Sequence, residues 1–361
     1  MSSSTPPLGP VLVVGTGLIG TSIALSLRRA GVDVFLDDVI PGQAIVAREL
    51  GAGMLLTESA HPQIVVVSVP PRHAAETIAR VSAQFPSSVI TDVTSVKSVV
   101  LRDAVSLGAD PLRLVGGHPM AGREVSGATA ARVDLLDDRL WIITQGDASD
   151  ESLALVMKLV ATCGAYAVEM TAEEHDRAVA LVSHAPQVLS SVLAGQLVSA
   201  DDNYVRVAGQ GLRDMTRIAA SDDQLWTDIL GTNAGPVADV LDSIIADLTA
   251  AREGLQAMAS GMADTQITEV LLTGADGQRR IPGKHGGVAS SYESVAVMLA
   301  DAPGELARLF AAASDEGINT EDVRIEHILG RPSGLVEVFV SPDRGDALRF
   351  ALRGRGFDVR A

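Results

Sequence analysis

A single cysteine, Cys163, stands in a chain of 361 residues, so no disulfide can close within it. The natural reading is a cytoplasmic setting, with the thiol as a small buried hydrophobe. Aromatic residues make up only 3% against 47% hydrophobic overall, so the cores must be built from Ala, Val, Leu and Ile. Positive charge is also scarce. With 28 Lys and Arg against 45 Asp and Glu, the net charge of −17 argues against nucleic acid or an anionic membrane as partner. A local arginine can still receive a small anion. No run approaches the roughly eighteen apolar residues of a membrane span. The opening Met1-Ser2-Ser3-Ser4-Thr5-Pro6-Pro7 lacks the basic region and apolar core of a signal peptide. Neither segment is expected, and no metal site is expected.

What the chain does have begins with Gly15-Thr16-Gly17-Leu18-Ile19-Gly20, set between the apolar run Val11-Leu12-Val13-Val14 and a helical pattern from Leu18 to Arg29. That is the context of a Rossmann turn. The first glycine permits the tight turn, the second lets backbone approach a pyrophosphate, and the third lets helix and strand pack closely. The free N–H groups of the helix start favour phosphate. Gly15, Gly17, Leu18, Ile19 and Gly20 are therefore cofactor-binding candidates, joined by Val69 and Pro70 at the end of a later strand. The strand Val32 to Leu36 runs into Asp37, seventeen residues after Gly20. A carboxylate there can accept both ribose hydroxyls and would repel a 2′-phosphate. No arginine sits beside it, so NAD rather than NADP is expected.

Residues 9–170 alternate β-branched runs with helical patterns, which predicts an α/β, doubly wound, mostly parallel sheet. The strand candidates are Val11 to Val14, Val32 to Leu36, Ile64 to Val69, Val89 to Asp92, Leu114 to Gly117, Trp141 to Thr144 and Ala165 to Glu169. Over residues 171–273 the strand signal disappears and apolar residues recur at helical spacing, as in Val237-Val240-Leu241-Ile244-Ile245-Leu248. This predicts an all-helical substrate and dimerisation domain whose apolar surface is covered in a homodimer. Residues 274–289, rich in Gly and charge, read as a linker that includes a solvated His285. Residues 290–361 read as a small βαββαβ unit.

Polar groups gather at the carboxyl edge of the sheet, where open α/β folds bind ligands. Thr91-Asp92-Val93-Thr94-Ser95-Val96-Lys97 follows one strand, and Gly116-Gly117-His118-Pro119-Met120-Ala121-Gly122 ends the next. Ser95 and His118 could both reach one substrate hydroxyl, the histidine taking its proton while hydride leaves the adjacent carbon. Ser95 could otherwise be a helix N-cap, and Lys97 a surface cation. In the helical region, Glu174-His175-Asp176 opens one helix and Ser183-His184-Ala185-Pro186-Gln187 the next, with Pro186 suited to a first turn. His175 could be purely structural. Arg217 in Arg213-Asp214-Met215-Thr216-Arg217 is a candidate clamp for an anionic substrate, or the partner of Asp214 in a surface pair.

Together these motifs resemble the prephenate and arogenate dehydrogenase family of tyrosine biosynthesis. The resemblance rests on Gly117-His118-Pro119-Met120-Ala121-Gly122, Thr91-Asp92 through Ser95-Val96-Lys97, Ser183-His184, and Asp214-Met215-Thr216-Arg217-Ile218-Ala219. It implies that NAD takes hydride from the ring carbon bearing a cyclohexadienol hydroxyl, and that loss of the ring carboxylate as CO₂ aromatises the product. His118 would be the base and Ser95 would orient the hydroxyl. Arg217 would grip a carboxylate, His184 would shape the pocket and Trp226 would flank it. Gln187 stands where family members often carry a second histidine; an amide donor there suits the keto group of prephenate better than the ammonium of arogenate. The last unit resembles an ACT module, with Asp301-Ala302-Pro303-Gly304 and Gly317-Ile318-Asn319 at its turns, which implies feedback by tyrosine or phenylalanine.

Two rival readings remain open. A β-hydroxyacid dehydrogenase would resemble its relatives in a lysine early in the helical domain, and none lies between Lys158 and Lys284. A non-catalytic NAD-binding sensor would not need Ser95, His118 and Arg217 together.

Overall fold

The computed structural model describes residues 8–122, 125, 127–263, 265–281, 292–327 and 333–360. Two compact units divide the chain, Met1–Ile244 and Ile245–Ala361.

The first unit holds an eight-stranded sheet. Its strands are β1 (Val11–Val14), β2 (Val34–Asp37), β3 (Met54–Leu55), β4 (Ile64–Val67), β5 (Val89–Asp92), β6 (Leu114–Pro119), β7 (Leu140–Thr144) and β8 (Tyr166–Glu169). Their order is β3-β2-β1-β4-β5-β6-β7-β8, and every neighbouring pair is parallel except β6 with β7. Strands β1 and β4 read VLVV and IVVV and are buried throughout, because helices cover both faces. Alternate residues enter different cores. Val11 and Val13 pack with Ile23 and Leu27 of helix Leu18–Arg29, while Leu12 and Val14 pack with Ile78 and Val81 of helix Pro71–Gln84. Each such full burial contributes roughly 1.5–3 kcal/mol. Strand β3 has only two residues, too few for an alternation signal to mark it in the sequence.

After Thr171 the unit is helical. Thr171 closes a capping box with Glu174, which fixes where helix Ala172–Val179 begins. Two separate helices were expected here, yet the chain stays helical through a π-turn, Ala180–His184, into helix Ala185–Gly195. Pro186 accounts for the turn: it has no N–H for the usual bond, and its ring would crowd the carbonyl four residues back. The run 172–199 is, by length and composition alone, apolar enough to cross a bilayer. It also buries His175, Asp176, His184 and Gln187, while Leu181, Val182, Val192 and Val198 are more than half exposed.

The long helix Ala234–Ala259 carries the chain past the division between units. In the second unit, helix Gln266–Arg279 occupies the start of the expected linker, so residues 274–279 are helical rather than extended. Gly274 and Gly277 each cost a helix about 1 kcal/mol but do not end it. Residues 282–289, with His285, lie outside the described residues. Beyond them come β9 (Glu293–Ala300), helix Glu305–Asp315, β10 (Asp322–His327), β11 (Ser333–Val340), helix Gly345–Gly354 and β12 (Asp358–Val359), the βαββαβ order read from the sequence. The sheet is antiparallel, in the order β10-β11-β9-β12. Its buried face sends Val295, Val297, Val336 and Val338 against Leu309, Leu348 and Leu352 of the two helices.

Candidate active site

The glycine-rich turn shows why each glycine is needed. Gly15 has φ +94°, and a Cβ there would lie 2.2 Å from the Ser68 carbonyl oxygen; a Cβ on Gly20 would lie 2.0 Å from that of Gly15. Both places demand glycine for packing. At Gly17 a Cβ would meet nothing within 4 Å, so this glycine keeps open space at the mouth of the turn. That opening, before the helix start at Leu18 and Ile19, fits a pyrophosphate. Val69 lies against Gly15, and Pro70 precedes helix Pro71–Gln84 at the carboxyl end of β4. This is the point where strand order reverses around β1, as a dinucleotide site requires.

The acidic partner differs from expectation. Asp37 uses its main-chain carbonyl to receive the Gly15 N–H at 2.8 Å, and its side chain lies 3.9 Å from Arg80. Asp38 instead receives the Thr16 N–H at 2.7 Å and the Thr16 hydroxyl at 2.8 Å. An arginine thus does sit beside Asp37, brought there by helix Pro71–Gln84 from 43 residues away, and the carboxylate that reaches the glycine-rich turn is Asp38.

At the other side of the sheet's carboxyl edge, β5 and β6 pair only at Ile90–Leu114 and Thr91–Val115. Strand β6 then continues to Pro119 against β7 and carries a half-buried His118. His118 Nδ1 lies 2.8 Å from His175 Nε2, and His175 Nδ1 lies 2.8 Å from Asp176 Oδ1. An ionised Asp176 only accepts, so His175 carries a proton on Nδ1; as a neutral imidazole it then offers a bare Nε2. His118 therefore donates from Nδ1, and its own Nε2 lone pair is left for a substrate proton. Burial first, then the nearby His175, Lys97 and His184, push the proton affinity of His118 well below the usual histidine value. Burial opposes ionisation of Asp176, but hydrogen bonds from His175, Ser98 and the Lys97 and Ser98 backbone outweigh it and hold its pKa at about 2.

The turn from β5 brings in Ser95, half-buried, and Lys97, wholly buried. Ser95 is not a cap: helix Ser98–Ser106 receives no side-chain cap from its own sequence, and Asp176 accepts both the Lys97 and Ser98 N–H groups at 2.8 Å. Nor is Lys97 a surface cation, since it pairs with buried Asp92.

His184 is buried, and its Nδ1 lies 3.0 Å from Asn233 Nδ2, which also donates to the Asp176 carbonyl at 2.9 Å. That donor leaves His184 with an N–H on Nε2. Burial, then His175, lower its pKa to about 4, so it stays neutral. Trp226 stands edge-on to it with centroids 6.0 Å apart. Gln187 does not use its amide as expected. Its Nε2 donates to the Ile218 carbonyl at 3.0 Å, pinning the turn Arg217–Ala220, and its buried Oε1 has no partner. Arg217 starts that turn in an exposed position.

Sequence reasoning singled out His175 without assigning it and missed Asp38, Asp176 and Asn233 as site residues. Asp176 was legible in the Glu174-His175-Asp176 triplet. Asn233 was not, because its role comes only from the fold bringing it across 49 residues to His184.

A Rossmann turn, a neutral histidine with a free lone pair at the adjacent sheet edge, and a helical partner domain define an NAD-dependent dehydrogenase. Residues 23–169 match the model of the prephenate dehydrogenase nucleotide-binding domain, and residues 171–270 that of the prephenate dehydrogenase dimerization domain. The chain belongs to the prephenate dehydrogenase family. It is 35% identical to the probable prephenate dehydrogenase NovF of Streptomyces niveus, over 95% of this chain and 97% of that one. Identity to the prephenate dehydrogenase of Bacillus subtilis is 28%, covering 92% of each chain. Among solved structures, the prephenate dehydrogenase of A. aeolicus in complex with hydroxyphenyl propionate and NAD+ superposes with a TM-score of 0.68 at 28% identity, covering 76% of this chain and 99% of that one.

Proposed function

We propose that the chain oxidises prephenate to 4-hydroxyphenylpyruvate and CO₂, with NAD as hydride acceptor, in the cytoplasm. The observation that supports this is the chain Asp176–His175–His118, which, with His175 neutral and bonded to Asp176 through its Nδ1–H, leaves the Nε2 of His118 free to take a proton. The glycine-rich turn and Asp38 would hold the dinucleotide. Bound NAD supplies the hydride acceptor.

His118 takes the proton of the ring hydroxyl as hydride departs from the same carbon. Electrons of the breaking C–CO₂ bond then enter the ring, so release of CO₂ aromatises the product and makes the step essentially irreversible. The cation formed on His118 is stabilised through His175 by the Asp176 carboxylate, which stays ionised, much as an aspartate supports the histidine of a serine protease. Ser95 orients the hydroxyl, Arg217 holds a substrate carboxylate, and His184 with Trp226 walls the ring.

One observation favours a second substrate. The unpartnered atom of Gln187 is an acceptor, which suits the ammonium of arogenate rather than the keto group of prephenate. The Bacillus subtilis relative is a prephenate dehydrogenase and the Streptomyces niveus relative a probable one, and that supports prephenate as the primary substrate. NADH formation with each substrate in turn decides: a higher kcat/KM on prephenate supports the proposal, and activity on arogenate alone overturns it.

Exposed Leu181, Val182, Val192 and Val198 lie within the stretch matched by a dimerization-domain model, which supports a homodimer. A monomer mass by light scattering would contradict it. The βαββαβ unit is the proposed seat of tyrosine or phenylalanine feedback, tested by adding each to the assay.

A further inference from the structure

Two glycines precede His118, and the structure gives both a use. A Cβ on Gly116 would stand 3.3 Å from Lys97 Cδ and 2.9 Å from Leu101 Cδ1; one on Gly117 would stand 2.7 Å from the Asp92 carbonyl oxygen and 2.8 Å from Trp141 Nε1. The backbone is kept bare so that the Asp92–Lys97 pair can reach it. Asp92 Oδ1 accepts the Gly117 N–H at 3.1 Å, and Lys97 Nζ donates to the Gly117 carbonyl at 2.7 Å. Both polar groups of the residue before His118 are therefore held by one ion pair, where the β5–β6 ladder has stopped.

The pair is complete as a hydrogen-bonding unit. Lys97 Nζ meets three acceptors, the Asp92 carboxylate, Thr94 Oγ1 and the Gly117 carbonyl, which match the three donors of an ammonium. Residue 97 also holds His118 from its other end: its backbone N–H donates to Asp176 Oδ1, which accepts from His175, which accepts from His118. A wholly buried ion pair is a poor device for stability, since apolar residues of like volume often do as well or better.

We infer that Lys97 is a positioning residue for the reaction: with Asp92 it fixes the Gly117 peptide group, and through it the place from which His118 reaches the substrate proton. This rests on His118 being the base. The groups facing His118 are Lys97, His175, His184 and Asp176; of these, Lys97 and the two histidines disfavour its protonation and Asp176 favours it. Loss of the Lys97 charge therefore moves the acid limb of kcat/KM to higher pH.

The test compares Lys97→Met, the double variant Asp92→Asn with Lys97→Met, and His118→Asn as reference, by thermal melting, kcat, KM and pH profile. Lys97→Met is expected to lose kcat by about a hundredfold, as small misplacements of reacting groups do. KM should stay within about threefold, and the acid limb should move up. The double variant removes the unpaired buried carboxylate, so it should regain the wild-type melting midpoint and remain slow, because nothing holds the Gly117 carbonyl. A double variant with both wild-type midpoint and wild-type kcat overturns the proposal and makes the pair purely structural, as does a Lys97→Met enzyme of unchanged kcat. A His118→Asn enzyme that keeps its turnover overturns the base assignment first, and this proposal with it.

Discussion

His118 can act as a base near neutrality because its surroundings keep it unprotonated and point its tautomer outward. With its proton affinity pushed well below the ordinary 6.5, the catalytically competent neutral form persists as pH falls through that value. The sign follows: kcat/KM should stay flat from pH 7 down past 6.5 and bend only at lower pH. A bend at or above 6.5 would mean that burial and the nearby Lys97 do not act on this histidine in the working enzyme. The proposed role of Arg217 is in binding rather than chemistry. Its replacement by alanine should raise KM about tenfold to a hundredfold, the worth of a charge-assisted contact, with a much smaller loss of kcat. Steady-state kinetics with prephenate separate the two effects, and a loss confined to kcat would remove Arg217 from the carboxylate.

Among elements, the glycine-rich turn separates folding from binding within six residues. Gly20→Ala sets a methyl against the Gly15 carbonyl and should destabilise the fold by about 1–3 kcal/mol, the usual cost of overpacking. Gly17→Ala meets open space, so its melting midpoint should be near that of wild type while its KM for NAD rises. Equal melting losses in both variants would show that the opening at Gly17 is not reserved for a ligand. This turn was readable in the sequence because its spacing is itself the mechanism. Strands β1, β4 and β5 were readable for a similar reason, as short β-branched runs set between helical patterns. Contacts made by the fold alone were not readable. The helix bearing Arg80 returns it to Asp37, Asp38 turns its side chain to Thr16, and Lys97 is drawn wholly inside by a carboxylate five residues earlier. Nor did composition reveal the helix through Gly274 and Gly277, where local propensity argued against an element that nonetheless forms.

For the molecule as a whole, the buried histidines tie stability to pH. His184 is held neutral with a pKa of about 4 in the folded chain against 6.5 when unfolded. The unfolded chain thus binds a proton below pH 6.5 that the folded chain refuses, and stability falls as pH drops from 6.5 toward 4, by roughly 3 kcal/mol from this group. Asp176 acts lower down. Its depressed pKa contributes stability above 3.8 that is lost as pH falls toward 2. Denaturant melts across this range should show a decline that begins near 6.5, and His184→Gln should flatten its upper part. A wild-type stability constant between pH 6.5 and 4 would contradict the neutral, buried state assigned to His184.

His118 is the proposed acceptor of the proton whose loss lets hydride depart. The most direct test is the rate of NADH formation from prephenate and NAD by the wild-type enzyme and by His118→Asn, measured side by side at saturating substrate. NADH is expected from the wild type, with a fall of about a hundredfold to ten-thousandfold in the variant, the range that general base catalysis supplies, and KM little changed. A His118→Asn enzyme that turns over prephenate at the wild-type rate would contradict it.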